Sequence, residues 1–197
     1  MQACMSNGGP TVAQNAFRQT LARLTADIAA HLAGRPLDSE LGRWLNAEHG
    51  ADSSTWQTLK QQCLTGVEQG WLCEREGGGI RYGRVFKPAA DLHGFSVDVV
   101  DMHDIAGPHH SHPLGEIDLI MPLDGEAQFD GHPAGWLVYP PGSAHRPSNG
   151  SRPRRIRSTW MPSIRPPSPG SGATTTTSAV REGLGYDEVS AWALMRR

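Results

Sequence analysis

His110 and His112 stand one residue apart, and Glu116 follows four positions later. On extended backbone, side chains two apart leave the same face, so the two imidazoles stand one pleat from each other. A turn at Pro113-Leu114-Gly115 lets Glu116 arrive from the next strand, which gives three ligands from one hairpin. A second segment, Pro140-Pro141-Gly142-Ser143-Ala144-His145-Arg146-Pro147-Ser148-Asn149, has the pattern P-x-G-x-x-H-x-x-x-N and brings a fourth, His145. Three imidazoles and a carboxylate suit Fe, Mn, Zn, Ni or Cu and leave open positions on a six-coordinate ion. The expectation is one divalent metal ion per chain, held by His110, His112, Glu116 and His145, with its identity open. Seven of the nine histidines fall between positions 93 and 145, which marks where chemistry belongs. His109 points away from the His110 face and His132 falls in a turn, so both read as structural.

The elements that must position these residues follow from periodicity. Phe17, Leu21, Leu24, Ile28 and Leu32 recur at helical spacing and predict an amphipathic helix over 13–33, ended by Gly34 and Pro36. Asp38 can cap a second helix carrying Leu41, Trp44 and Leu45. Ser53 or Ser54 can cap a third, with Trp56, Leu59, Cys63, Leu64 and Val67 on one face. After Gly70 the period changes to that of strands. Ile80–Phe86, Phe95–Val99, Glu116–Leu123, Glu126–Asp130 and Trp136–Tyr139 read as short strands between turn residues. The fold class is therefore α+β: a helical segment at 13–70 after a flexible start at 1–12, then a small antiparallel β-barrel or jelly roll at 71–149.

Composition narrows the function. With 197 residues the chain suits one domain with a small appendage, and 23 Gly and 15 Pro favour turns. Residues 1–145 carry 9 basic and 17 acidic side chains, a balance of −8, while residues 146–197 carry 9 and 3, a balance of +6. An acidic main body is no partner for nucleic acid. No apolar run approaches the roughly 18 residues of a membrane helix. A cytoplasmic location is the expectation. Three cysteines without C-x-x-C spacing indicate neither a disulfide framework nor a thiolate zinc site.

The two histidine segments resemble the paired motifs of the cupin superfamily, small β-barrels with a metal inside. The departures are small: eight residues separate Glu116 from Gly125 where six are usual, and the link between the motifs is short. The blocks Gly79–Val85, His93–Val100, Asp104–His110, Gly115–Pro122 and Pro141–Pro147 resemble the 4-hydroxylaminobenzoate lyases of bacterial nitroaromatic degradation. That likeness spans roughly residues 13–149.

The resemblance implies conversion of 4-hydroxylaminobenzoate to 3,4-dihydroxybenzoate (protocatechuate) with release of ammonia. Substrate plus one water equals product plus ammonia, so no nicotinamide or flavin cofactor is expected, and no dinucleotide fingerprint occurs. A Lewis-acidic metal would stabilise departure of the hydroxylamino oxygen. The partner is a small aromatic acid, whose carboxylate needs a cation: Arg81, Arg84 and Arg146 are the candidates. Arg81 and Arg84 differ by three on an extended segment, so at most one faces a cavity unless a bulge intervenes at Gly83. Tyr82, His93 and His103 are further candidate proton carriers. A homodimer is a further expectation.

Two other readings share these residues. One is a metal cupin that cleaves or isomerises an aromatic acid, by oxygen-dependent chemistry or otherwise; the other is a non-catalytic cupin that binds such an acid. Beyond Asn149 the resemblance ends and Arg/Pro-rich, then Pro/Ser/Thr-rich sequence follows. Residues 150–197 read as a disordered or frame-shifted tail, within which Ile156–Met161 could form only a short edge strand.

Overall fold

The computed structural model describes residues 9–102, 105–123 and 127–148, together with the backbone of 159–165. Three helices come first: α1 (Val12–Leu32), α2 (Ser39–Glu48) and α3 (Ser54–Glu68). Thr11 and Gln14 close a reciprocal capping box at the start of α1, and Ala33 ends it in the left-handed region. Asp38 caps α2 through the N–H groups of Glu40 and Leu41, and Ser53 caps α3 through Trp56. Phe17, Leu21, Leu24 and Ile28 are buried at the spacing the sequence predicts. Each contributes about 1.5–3 kcal/mol by leaving water. Arg18 grips Asp91 with two 2.7 Å hydrogen bonds and ties α1 to the 3-10 turn Ala90–Leu92. No described helix is long and apolar enough to cross a membrane.

Among the described residues eight strands follow: β1 (Arg75–Gly77), β2 (Ile80–Phe86), β3 (Ser96–Met102), β4 (His110–His112), β5 (Glu116–Pro122), β6 (Gly135–Tyr139), β7 (Ser143–His145) and β8 (Thr159–Arg165). Six form one sheet in the order β1-β2-β3-β8-β5-β6, and β4 pairs with β7 in a second. Every pairing is antiparallel. This is the small antiparallel β unit of the sequence reading, behind a helical layer.

The large sheet is covered on both faces. Val97, Val99, Ile117, Leu119 and Met121 join the helices in one core. Ile80, Val100, Met102, Ile120 and Phe129 form a second, with Tyr82, Ile105, Leu137 and Tyr139 packed against it. Strand β3 is therefore not half-buried as simple alternation suggests, because Val99 and Val100 serve opposite cores. The outer edge, β6, is covered by α2. The Asn46 side-chain amide donates to the Trp136 carbonyl at 2.8 Å, and its oxygen accepts from the Trp136 N–H at 2.9 Å. Asn46 thus takes the place of a neighbouring strand at an otherwise open edge.

Two strand expectations change. Glu126–Asp130 forms no strand among its described residues; Phe129 makes only an isolated bridge to His132. The tail contributes an interior strand rather than a short edge one, since β8 lies between β3 and β5. Its ladder to β5 runs in two pieces, at Ile117–Asp118 and Met121–Pro122. The interruption falls at Pro162, which has no N–H to give. Of the tail expected to be disordered or frame-shifted, 150–158 and 166–197 lie outside the described residues, and a strand at 159–165 does not bear on the reading frame. Of the flexible start at 1–12, residues 1–8 lie outside them, while Thr11 and Val12 open α1.

Candidate metal centre

Strands β4 and β7 run antiparallel with His110 opposite His145, Ser111 opposite Ala144 and His112 opposite Ser143. Alternation puts the three imidazoles on one face. Their ring centroids lie 4.7 Å (His110–His112), 4.7 Å (His110–His145) and 5.0 Å (His112–His145) apart. One nitrogen from each ring lies within 4.8 Å of the other two. The turn into β5 depends on Gly115, whose φ is +84° and whose site would bring a Cβ within 2.8 Å of the Tyr139 carbonyl.

Each ring has its Nδ1 committed elsewhere. His110 Nδ1 donates to the Pro108 carbonyl at 3.2 Å, His112 Nδ1 to Glu116 Oε2 at 2.9 Å, and His145 Nδ1 to Asp130 Oδ2. A carbonyl or an ionised carboxylate accepts only, so these partners hold the proton on Nδ1 and leave a lone pair on Nε2. His112 Nε2 is buried and has no hydrogen-bond partner. Such an orphan costs about 1–3 kcal/mol. A divalent cation held by His110, His112 and His145 would satisfy it, and imidazole nitrogens suit Zn, Fe, Mn, Ni or Cu. Burial, with a smaller contribution from His112, holds the His110 imidazole below its ordinary value, so it is ready to bind as the neutral base.

The sequence reading groups four ligands; the structure brings three of them together at one point. Glu116 is buried beside them, its Oε2 2.9 Å from His112 Nδ1, and is not among the three residues whose ligand atoms converge. Asp130 is the residue that sequence reasoning missed. Asp130-Gly131 form a tight turn with φ of 48° and 78°, closed by reciprocal hydrogen bonds between Phe129 and His132. In the sequence that dipeptide signals a hairpin turn and nothing more. In the fold its carboxylate accepts from His145 Nδ1, from the Tyr139 hydroxyl at 2.7 Å and from the Ser148 N–H at 2.7 Å. Burial alone would raise the Asp130 carboxyl; the donors from His145, Tyr139 and Ser148 outweigh it and hold it below the usual range. Burial and the Asp130 carboxylate together push the Tyr139 phenol far up, so it stays protonated.

Tyr139 also links the histidines to the second core. Its ring stacks on His112 at 5.1 Å and lies 4.3 Å from His145, while Phe129 meets His145 edge-on at 6.1 Å. Ile80 opposite Met102, Tyr82 opposite Val100 and Arg84 opposite Asp98 share the sheet face of that core. Arg84 binds Asp98 through two hydrogen bonds of 2.9 and 3.1 Å. Arg81 lies on the other face, 3.8 Å from Asp101, and Arg146 is exposed beyond β7. His93 is exposed at the end of the 3-10 turn, His109 and His132 are exposed, and His103 lies outside the described residues.

Residues 23–158 match the family model for PnbB, 4-hydroxylaminobenzoate lyase. The chain is 33% identical over 147 residues to the 4-hydroxylaminobenzoate lyase of Pseudomonas putida, covering 66% of this chain and 84% of that protein. It is 31% identical over 125 residues to the protein of the same name from Nocardioides sp. (strain LMS-CY), covering 59% and 74%. Among solved structures it is similar to the DMSP lyase DddQ of Ruegeria pomeroyi DSS-3, with 18% identity, a TM-score of 0.42 and coverage of 82% of this chain and 94% of that one. It is also similar to an RmlC-like cupin protein of Ralstonia eutropha JMP134, with 12% identity, a TM-score of 0.35 and coverage of 46% and 57%. With residues 23–158 of its 197 matched by the family model, the chain belongs to the 4-hydroxylaminobenzoate lyase family.

Proposed function

We propose that this protein converts 4-hydroxylaminobenzoate and one water into 3,4-dihydroxybenzoate and ammonia, a step in the breakdown of 4-nitrobenzoate and 4-nitrotoluene. The observation that carries the reading is the buried, partnerless Nε2 of His112 among three imidazoles, in a chain of this family. A divalent ion held by His110, His112 and His145 would supply Lewis acidity for breaking the N–O bond.

The chain's own residues account for the rest. The apolar wall of Ile80, Val100, Met102, Ile120 and Phe129 is packed shut beside the histidines and keeps water from them on that side. Tyr139 closes that wall against the cluster and keeps its proton on the oxygen that faces Asp130. Arg84, on the same sheet face, is the candidate to anchor the substrate carboxylate. With that carboxylate para to the nitrogen, loss of the hydroxylamino oxygen as water lets one water add at the ring carbon beside the C–N carbon. A second water then displaces the imine nitrogen as ammonia before the ring regains aromaticity as the catechol; two waters enter and one leaves. Glu116 serves from behind His112, holding the proton on Nδ1. Atoms balance without oxidant or reductant, so the reaction needs no nicotinamide or flavin.

The test is anaerobic incubation of the metal-loaded protein with 4-hydroxylaminobenzoate, following ammonia and protocatechuate together. Equal amounts of both, formed without oxygen, are expected. Turnover that requires oxygen, or binding of the substrate without turnover, overturns the reading.

A further inference from the structure

The geometry points to Asp130 as the positioning residue of this site, the carboxylate that holds His145 in the tautomer able to bind a metal. The inference rests on reading the three histidines as a metal site; it does not depend on which reaction that site performs.

Asp130 is built for the task in three ways. Its position at φ 48° in the Asp130-Gly131 turn sends the side chain back toward β7, where His145 sits. Oδ1 is held by the Ser148 N–H at 2.7 Å and by the Ser148 hydroxyl at 3.3 Å. Oδ2 takes the two remaining donors, His145 Nδ1 and the Tyr139 hydroxyl. The carboxylate is thus fixed at both oxygens before any metal arrives, and the His145 ring inherits that order. The arrangement parallels Glu116 on His112, so two of the three imidazoles carry a carboxylate on the nitrogen behind them. Such partners set which nitrogen bears the proton and raise the basicity of the other. Nothing about Asp130-Gly131 as a turn requires the charge, because Asn takes the left-handed region equally well.

That freedom makes Asp130→Asn a clean test. The Ser148 N–H cannot reverse, so the amide oxygen must face it, and the amide N–H₂ then faces His145 and Tyr139. The tyrosine hydroxyl can rotate to accept. His145 can accept only by moving its proton from Nδ1 to Nε2, which removes the lone pair from the cluster.

Metal-stripped, 15N-histidine-labelled protein is examined by NMR at mildly alkaline pH, and Zn2+ is then titrated by competition with a chelator. In the unaltered protein His145 is expected to carry its proton on Nδ1. In Asp130→Asn it is expected on Nε2, with Zn2+ bound about 10–100-fold more weakly. Tyr139→Phe, which removes one donor but leaves the His145–Asp130 bond, should preserve both the tautomer and the affinity. An Nε2 proton in the unaltered protein overturns the proposal even if Asp130→Asn does not fold, and so does a variant with unchanged tautomer and Zn2+ affinity. Failure of the unaltered protein to bind Zn2+ at all would instead overturn the metal-site reading, while a failed lyase assay alone would touch only the reaction.

Discussion

His110 and His145 face each other across the β4–β7 ladder, so the two motifs that supply the imidazoles meet as a directly opposed strand pair. His112 stands one pleat further along β4 and completes the triangle. The site therefore depends on strand register. A slip by one residue would turn one partner of each opposed pair to the wrong face.

Loss of His112 should differ in degree from loss of His110. His112 is buried and supplies the partnerless nitrogen, whereas His110 is half-buried, with its Nδ1 on the Pro108 carbonyl. Both His110→Ala and His112→Ala should abolish metal retention through gel filtration, as read by elemental analysis, and activity with it. His112→Ala should also lower the denaturation midpoint, and more than His110→Ala, because it leaves a cavity at a buried position, at a cost of about 1–3 kcal/mol. Full activity in a metal-free His112→Ala protein would sink the role assigned to the metal.

Glu116→Gln distinguishes a carboxylate behind His112 from one on the metal. A partner behind the ligand weakens metal binding by about 10–100-fold when altered and leaves the number of protein ligands unchanged. The Co2+-substituted variant should therefore keep the coordination number of the unaltered protein in its visible spectrum. A spectrum that shows a lost oxygen ligand would return Glu116 to the metal, as the H-x-H spacing first suggests.

The helices were legible because their apolar residues repeat at intervals of three and four and their caps are local, as with Asp38 and Ser53. The histidine face was legible for the same reason, since an H-x-H pair needs only the pleat of one strand. Asp130 was not, because its partner is 15 residues away and its own neighbourhood announces a turn. The place of β8 was hidden too. Pro162 argues locally against an interior strand, but the gap between β3 and β5 is filled from the tail, and the ladder to β5 breaks at that proline. Arg84 and Arg81 were separated only by register, which spacing restricts and pairing resolves.

Asn46 should matter to stability out of proportion to its half-exposed surface. Its side chain makes two hydrogen bonds to the backbone of Trp136 and one to the Gly42 carbonyl, joining α2 to the edge of the large sheet. Asn46→Ala leaves the Trp136 N–H and carbonyl without those partners, and a loss of about 2–3 kcal/mol is expected in urea unfolding. Because β6 carries Tyr139, metal affinity should fall with it only modestly. An unchanged unfolding midpoint would show that water replaces Asn46 at the edge without loss.

The substrate carboxylate should be read by Arg84 and not by Arg81. Register places Arg84 opposite Asp98, on the face that also carries Tyr82 and Ile80, whereas Arg81 shares the helix-covered face with Val99 and Asp101. A guanidinium that recognises a carboxylate in both ground and transition states contributes uniform binding, so its loss raises KM and spares kcat. Arg84→Met should therefore raise KM for 4-hydroxylaminobenzoate by roughly 10-fold or more, the range of a charge-assisted hydrogen bond worth about 1.5–3 kcal/mol. Arg81→Met should leave KM within about twofold. The Asp98 partner gives an internal check: Asp98→Asn loosens the hold on Arg84 without removing its charge, so KM should move far less than in Arg84→Met. Equal KM values for the two arginine variants would move the anchor to Arg146, the exposed guanidinium that follows His145.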